Sequence, residues 1–395
     1  MQIHTDKWGE WGLTISFKNF DVIVVGSGFF GSTIAERISS GSNFKVAVID
    51  SRNHIGGNSY TEIDSNTKIE YHKYGSHLFH TDSDKIWEYC NNFTKFNNYR
   101  HKVFTMHNGQ MFSMPINLST INQFYKTTFT PEQAKVKIKE SNPAFFNKEI
   151  LDLESKAISL IGEDLYHAFI KGYTTKQWQL EPKDLPASII TRLPVRYNYN
   201  NEYFDDKYQG IPIDGYTKWI EKLLEKSTVF LNTDFFDIRN QISSQQIVIY
   251  TGPIDRYFSY KFGELTWRTL DFEINVVKVN DFQGNSVINY ADLDVPFTRI
   301  HEFKHLHPER SYNSPNTLIM KEFSRFASKK DEPYYPVNSA ADREKLNKYR
   351  ELIPNEKNVY FGGRLGSYQY LDMHMAIASA LNMYENELKP RLQIN

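Results

Sequence analysis

The chain has 395 residues, with 46 basic and 47 acidic side chains and a net charge of −1. That length suits two or three domains around a shared core, and the balanced charge argues against a nucleic-acid or polybasic membrane surface. Cys90 is the only cysteine, which excludes an intrachain disulfide and a thiolate metal cluster. Asp6, Lys7 and Glu10 interrupt the N-terminus where a signal peptide needs an apolar stretch, and no apolar run reaches transmembrane length. A cytoplasmic protein without membrane insertion is the expectation.

Residues 1–20 read as an irregular N-terminal extension. From Asp21 to Ile38 the run DVIVVGSGFFGSTIAERI reads as an apolar strand, a glycine-rich turn and a helix. Gly26, Gly28 and Gly31 stand in G-x-G-x-x-G spacing. This gives a tight turn, close backbone approach for a pyrophosphate, and close helix–strand packing. The helix start then offers free N–H groups to phosphate. A second strand, Lys45 to Ile49, ends at Asp50, where a carboxylate suits ribose hydroxyls. Arg52, Gly56, Gly57 and Asn58 follow, and the glycine pair lets backbone approach a further stretch of cofactor. Residues 21–82 thus form the first part of a dinucleotide-binding core.

Residues 83–190 read as a mainly helical insertion. Thr130, Pro131 and Gln133 make a capping box with proline at the first helical position. Leu153, Ala157, Leu160 and Ile161 continue at helical spacing, and Gly172 is expected to interrupt the helix. Strand signals dominate 191–345, which read as an antiparallel-sheet substrate domain, with 208–252 contributing to the core. Residues 346–395 return to the core with a strand (Val359 to Phe361), a turn at Gly362 and Gly363, and a helix from about Asp372. Two helix starts aimed past strand ends suit a long cofactor such as FAD better than NAD. The fold class is α/β: a Rossmann-like FAD-binding core with an inserted helical domain and an antiparallel β-sheet domain.

Sequence blocks from one end to the other carry a more specific signal. They include RNHIGGNSY (52–60), HKYGSHLFHT (72–81), FIKGYTTKQW (169–178), LPASIITRLPVRYNY (185–199), VPFTRIHEFKH (295–305), DEPYYPV (331–337) and GGRLGSYQYLDMHMAIASALNMY (362–384). In these blocks the chain resembles the UDP-galactopyranose mutases, flavoenzymes that interconvert UDP-galactopyranose and UDP-galactofuranose. The resemblance implies FAD, active when reduced, whose N5 bonds the sugar C1. It also implies a homodimer and a product used in cell-surface glycans.

The resemblance further implies roles for residues. Arg192, after a mobile loop, and Arg299 are the expected catalytic pair, clamping the diphosphate with guanidinium forks. His80 joins them beside the flavin. Phe169, Tyr173, Thr174 and Trp178 are expected around the uracil and substrate, although a helix core stripe is the competing reading of that spacing. Tyr203, Tyr335 and Tyr370 are expected at the diphosphate, and Asn289 and His101 at the sugar. The implied FAD contacts are Gly26, Gly28, Phe30, Gly31, Asp50, Arg52, Gly56, Gly57, Asn58, His77, Gly363, Arg364, Tyr370, Leu371, Asp372 and Met373. Asp372 reads equally as a helix cap alone. Ser76 stands where the family commonly has Ala or Pro, and with His101 it bears on sugar preference.

Histidines cluster at 72, 77 and 80 and at 301, 305 and 307, but the first group lies in an irregular loop without paired acids and the second runs along a strand, so no metal is expected. The sequence shows no Ser–His–Asp order and no carboxylate pair for sugar chemistry. The rival reading is an FAD-dependent oxidoreductase of the amine-oxidase-like type.

Overall fold

Three apolar runs, Val22–Val25, Val46–Ile49 and Ile247–Tyr250, are buried at every residue. Unbroken burial is what a parallel sheet covered on both faces requires. The computed structural model describes residues 1–5, 16–141, 150–192 and 195–394, without the side chains of Ser188, Thr191 and Arg192. Among these residues a six-stranded parallel sheet runs in the order Gln2–His4, Thr228–Phe230, Val46–Ile49, Val22–Val25, Ile247–Tyr250, Val359–Phe361. One face packs under helices Phe29–Gly41, Tyr216–Leu223 and Met373–Met383, through Val22, Val24, Ile34, Trp219 and Ile377. The other face closes with Ile23, Ala47, Phe230, Phe235 and Tyr250.

The N-terminal extension is therefore not irregular throughout. Gln2–His4 pairs with Thr228–Phe230, and three residues with a partner more than two hundred positions away leave no local signal.

A second, seven-stranded sheet follows the order Tyr335–Pro336, Trp267–Val277, Thr317–Phe326, Arg299–Glu302, Val287–Tyr290, Val103–His107, Gln110–Met114. It is mixed rather than antiparallel, because Val287–Tyr290 pairs parallel with Val103–His107. The helical insertion thus contributes a hairpin to this sheet. Its turn is Asn108-Gly109, both at positive φ, the geometry a two-residue hairpin loop prefers.

Helices Leu118–Tyr125, Pro131–Glu140 and Leu153–Leu165 share a third core around Ile121, Ile158, Leu165 and Phe169. The Thr130 hydroxyl accepts from Gln133 N–H while the Gln133 side chain accepts from Thr130 N–H. The helix does not break at Gly172. It bends at Gly162 (φ 78°), widens over Tyr166–Lys171, and continues as Gly172–Trp178 to a left-handed Gln179. Gly172 serves close packing instead: a Cβ there would lie 2.2 Å from the Ala291 carbonyl oxygen.

Candidate active site

Two cavities meet where the sheets adjoin. The first, about 670 Å³, starts at the turn between Val22–Val25 and helix Phe29–Gly41. Gly26 takes φ 100°, and a Cβ on Gly31 would stand 2.0 Å from the Gly26 carbonyl oxygen, so strand and helix meet only with glycine there. Around a Cβ built on Gly28, by contrast, there is no atom within 4 Å. Gly28 caps the helix and borders the cavity, leaving room for phosphate beside the helix N-terminus.

Asp50 closes the next strand. One carboxylate oxygen accepts from Ser27 N–H (2.9 Å) and the Ser27 hydroxyl (2.5 Å), the other from Arg52 N–H (3.0 Å). Arg52 donates through Nη2 to Asn58 Oδ1 and Glu332 Oε2, while its buried Nη1 finds no acceptor among the described residues. Arg52 lines the cavity, and a buried guanidinium nitrogen of this kind is chemically matched to an anionic group. The far end of the cavity is bordered by Gly363, Arg364, Leu371 and Met373, at the start of helix Met373–Met383. Gly-rich turn, acidic strand end, free guanidinium nitrogen and second helix start fit an extended dinucleotide. Phe30, Gly56, Gly57, Asn58 and His77 border the same cavity.

Asn58, His77, Arg364 and Met373 also border the second cavity, about 790 Å³, so the two communicate. Arg299 is its charged centre. Nη2 donates to the Tyr173 hydroxyl at 2.7 Å, and Nε lies 3.0 Å from Glu322 Oε1. Burial opposes the Arg299 charge most strongly of any one influence, but Glu322 together with Tyr173, Tyr335 and Tyr203 outweighs it and holds the pKa above the usual arginine value. Burial likewise opposes the Glu322 charge; Arg299 and His301 outweigh it and hold the carboxyl below its usual range. The pair is therefore ionised.

His301 extends this group: Nε2 lies 3.1 Å from Glu322 Oε2, and Nδ1 lies 2.7 Å from the Ser76 hydroxyl. In the same cavity His80 stacks on Phe204, with Nδ1 3.0 Å from Asp206 Oδ2. His101 packs edge-on against Tyr203, and burial, aided by Arg299, pushes its pKa down to about 3. Tyr335 and Tyr370 stack at 5.7 Å, with the Arg364 guanidinium over both rings. Asn289 borders the cavity, and among the described residues its buried Oδ1 finds no donor.

Most expected residues thus line one of two joined cavities. His80, His101, Tyr173, Trp178, Tyr203, Asn289, Arg299, Tyr335 and Tyr370 border the second. Asp372 borders it too; it sits at the helix cap position without a side-chain capping bond, so a cap alone does not describe it. Two residues are not brought in. Phe169 is buried against Phe112, Phe124 and His107 in the helical core, and Thr174 is buried without lining either cavity. The core-stripe reading holds for Phe169, because it lies in the widened turn Tyr166–Lys171, while Tyr173 and Trp178 lie beyond it. Arg192 ends the short helix Ala187–Arg192, and its side chain lies outside the described residues.

Glu322 and Arg268 border the site without a sequence motif to announce them, and His301, inside the block VPFTRIHEFKH, supports it in a role the sequence did not assign. Arg268 is 1% exposed, bonded only to the neutral Gln179 and Ser324 among the described side chains, and pushed down to about 10 by burial. Its place on the alternating strand Trp267–Val277 was the one available signal.

A family model described as UDP-galactopyranose mutase matches residues 168–370, and one described as an NAD(P)-binding Rossmann-like domain matches residues 24–93. The chain is 43% identical over 364 residues to a probable UDP-galactopyranose mutase of Klebsiella pneumoniae, covering 92% of this chain and 94% of that one. It is 41% identical over 374 residues to a dTDP-fucopyranose mutase of Escherichia coli, covering 93% and 98%. A crystal structure of reduced UDP-galactopyranose mutase is similar in fold, with a TM-score of 0.72 at 15% identity over 94% of each chain.

Proposed function

The chain belongs to the UDP-galactopyranose mutase family, and from that premise we propose that it interconverts UDP-galactopyranose and UDP-galactofuranose, with FAD in its reduced form as cofactor. The observation that carries this reading is the meeting of a dinucleotide cavity with one centred on Arg299 and ringed by tyrosines. The first cavity fits FAD through its two separated helix starts, the open space at Gly28 and Arg52 Nη1, which has no acceptor among the described residues. When bound, reduced FAD supplies an electron-rich nucleophile for the anomeric carbon.

The chain's own groups then have defined work. Arg299, with Arg192, binds the diphosphate and stabilises the negative charge that builds on it as the sugar–phosphate bond breaks. Tyr203, Tyr335 and Tyr370 donate hydroxyl hydrogens to phosphate oxygens, and Tyr173 and Trp178 hold the nucleotide side. Asp206 Oδ2, 3.0 Å from His80 Nδ1, holds the orientation of the His80 ring. Asn289 Oδ1 accepts from a sugar hydroxyl. A homodimer working in the cytoplasm, with its product passed to cell-surface glycans, belongs to the same reading on the family resemblance.

A second reading is favoured by one observation: the E. coli relative at 41% identity is described as acting on dTDP-fucopyranose. Product analysis with dithionite-reduced protein separates the two. Conversion of UDP-galactofuranose supports the first reading, and conversion of the dTDP-linked 6-deoxyhexose alone supports the second. No ring isomerisation of either overturns both.

A further inference from the structure

Ser76 lies between Gly75 and His77 in the loop connecting the two cavities, yet it borders only the second. Its hydroxyl carries one proton and two lone pairs. The use of that proton follows from its neighbours. Glu322 is ionised beside Arg299, so its Oε2 only accepts, and the His301 Nε2 facing it at 3.1 Å must carry hydrogen. His301 is 1% exposed and neutral, held down by burial. Its Nδ1 is therefore an acceptor, and the Ser76 hydroxyl, 2.7 Å away, must donate to it.

Ser76 then has no proton left for the cavity; it presents lone pairs only. Asn289 borders the same space, and its buried Oδ1 finds no donor among the described residues. Acceptors without donors fit a ligand rich in hydroxyl groups and do not fit a phosphate oxygen, which itself only accepts.

We propose that Ser76 is a substrate-binding residue whose oxygen accepts a hydrogen bond from a hydroxyl of the hexose, and that His301 is the positioning residue that fixes it in this role. The proposal rests on the nucleotide-sugar mutase reading. His301 ties the Ser76 loop to Glu322 Oε2, while Arg299 keeps its own contacts to Glu322 Oε1 and the Tyr173 hydroxyl, so loss of His301 acts on the Ser76 side.

Calorimetric titration of the FAD-loaded protein with UDP-galactose and with UDP tests it. Ser76→Ala is expected to weaken UDP-galactose binding about three- to tenfold, the effect of one lost hydrogen bond, and to leave UDP binding unchanged. His301→Leu is expected to reproduce that selective loss. His301→Gln, whose amide can donate to Glu322 and accept from Ser76, is expected to restore it. Equal weakening of both ligands, or no weakening of either, in Ser76→Ala overturns the proposal. So does a shifted flavin potential with unchanged UDP-galactose affinity, since Ser76 would then face the cofactor. If His301→Leu fails to fold, Ser76→Ala and His301→Gln decide the matter. Wild-type protein that binds neither ligand overturns the UDP-galactose reading and this proposal together, whereas normal wild-type binding with an unaltered Ser76→Ala overturns the proposal alone.

Discussion

Arg299 donates to the Tyr173 hydroxyl at 2.7 Å while its Nε rests 3.0 Å from Glu322, so a strand of the second sheet and the last turns of the long helix meet on one guanidinium. Arg299→Ala removes the positive member of this group and leaves Glu322 buried beside His301 without its partner. Loss of kcat/KM on the order of a hundredfold or more is expected, as for a charge-assisted contact to a diphosphate. Arg299→Lys should recover only part of it, since an ammonium cannot match the fork. Steady-state kinetics check this, and unchanged kinetics in both variants remove Arg299 from the site. The same measurement on Arg192→Ala tests whether it belongs to the clamp.

Gly28 separates cofactor binding from folding. Its φ of −69° is open to any residue, and a Cβ meets nothing within 4 Å. Gly28→Val should therefore keep the far-ultraviolet dichroism and melting temperature of the cofactor-free protein while abolishing bound FAD. Flavin absorbance after purification reads the outcome; full flavin content in the variant would place the pyrophosphate elsewhere.

Lys176 gathers four backbone carbonyls, those of Tyr290, Asp292, Val295 and Phe297, at 2.7–3.0 Å. It pins helix Gly172–Trp178 to the segment joining strands Val287–Tyr290 and Arg299–Glu302. Lys176→Met leaves those oxygens without this donor and should destabilise by about 2 kcal/mol or more. Because Tyr173 and Trp178 ride on the pinned helix, KM for the nucleotide sugar should rise as well. Thermal melting and KM measured together check this, and an unchanged melting temperature would show that water replaces the ammonium at little cost.

Much of the parallel core was legible because its signals are local: a glycine triplet between strand and helix, continuous apolar runs, an acid at the next strand end. The capping box at Thr130 and Gln133 was legible for the same reason. What escaped depends on distant pairing. Gln2–His4 becomes a strand only beside Thr228–Phe230, and Val103–His107 gains a parallel neighbour from Val287–Tyr290. At the site, Tyr173 and Trp178 followed from the motif, while Phe169 did not, because the widened turn at Tyr166–Lys171 defeats simple helical spacing. Glu322 carries no motif; it stands opposite Arg299 and diagonal to His301 on paired antiparallel strands, a relation visible only in register.

Two buried histidines give the fold an acid limit. His72 and His101 are 1% and 4% exposed, and burial, with neighbouring cationic groups, lowers the pKa of both, His101 to about 3. Each is neutral in the fold and takes up a proton on unfolding near its ordinary value of about 6.5. Their contribution is whole above that pH and is lost as pH falls, for His101 across the interval down to about 3. The slope is about 1.4 kcal/mol per pH unit for each site. The melting temperature should therefore drop between pH 6.5 and 4.5, and His101→Asn should flatten that drop. A melting temperature independent of pH in this range would contradict the assignment.

The proposed reaction is an isomerisation without net redox change on a reduced cofactor, and anaerobic turnover of UDP-galactofuranose tests it most directly. Dithionite-reduced protein is predicted to form UDP-galactopyranose over many cycles without consuming further reductant or releasing hydrogen peroxide, while the oxidised protein stays inactive. Equal turnover by the oxidised form, or peroxide produced in proportion to substrate lost, would contradict it and favour the oxidoreductase reading.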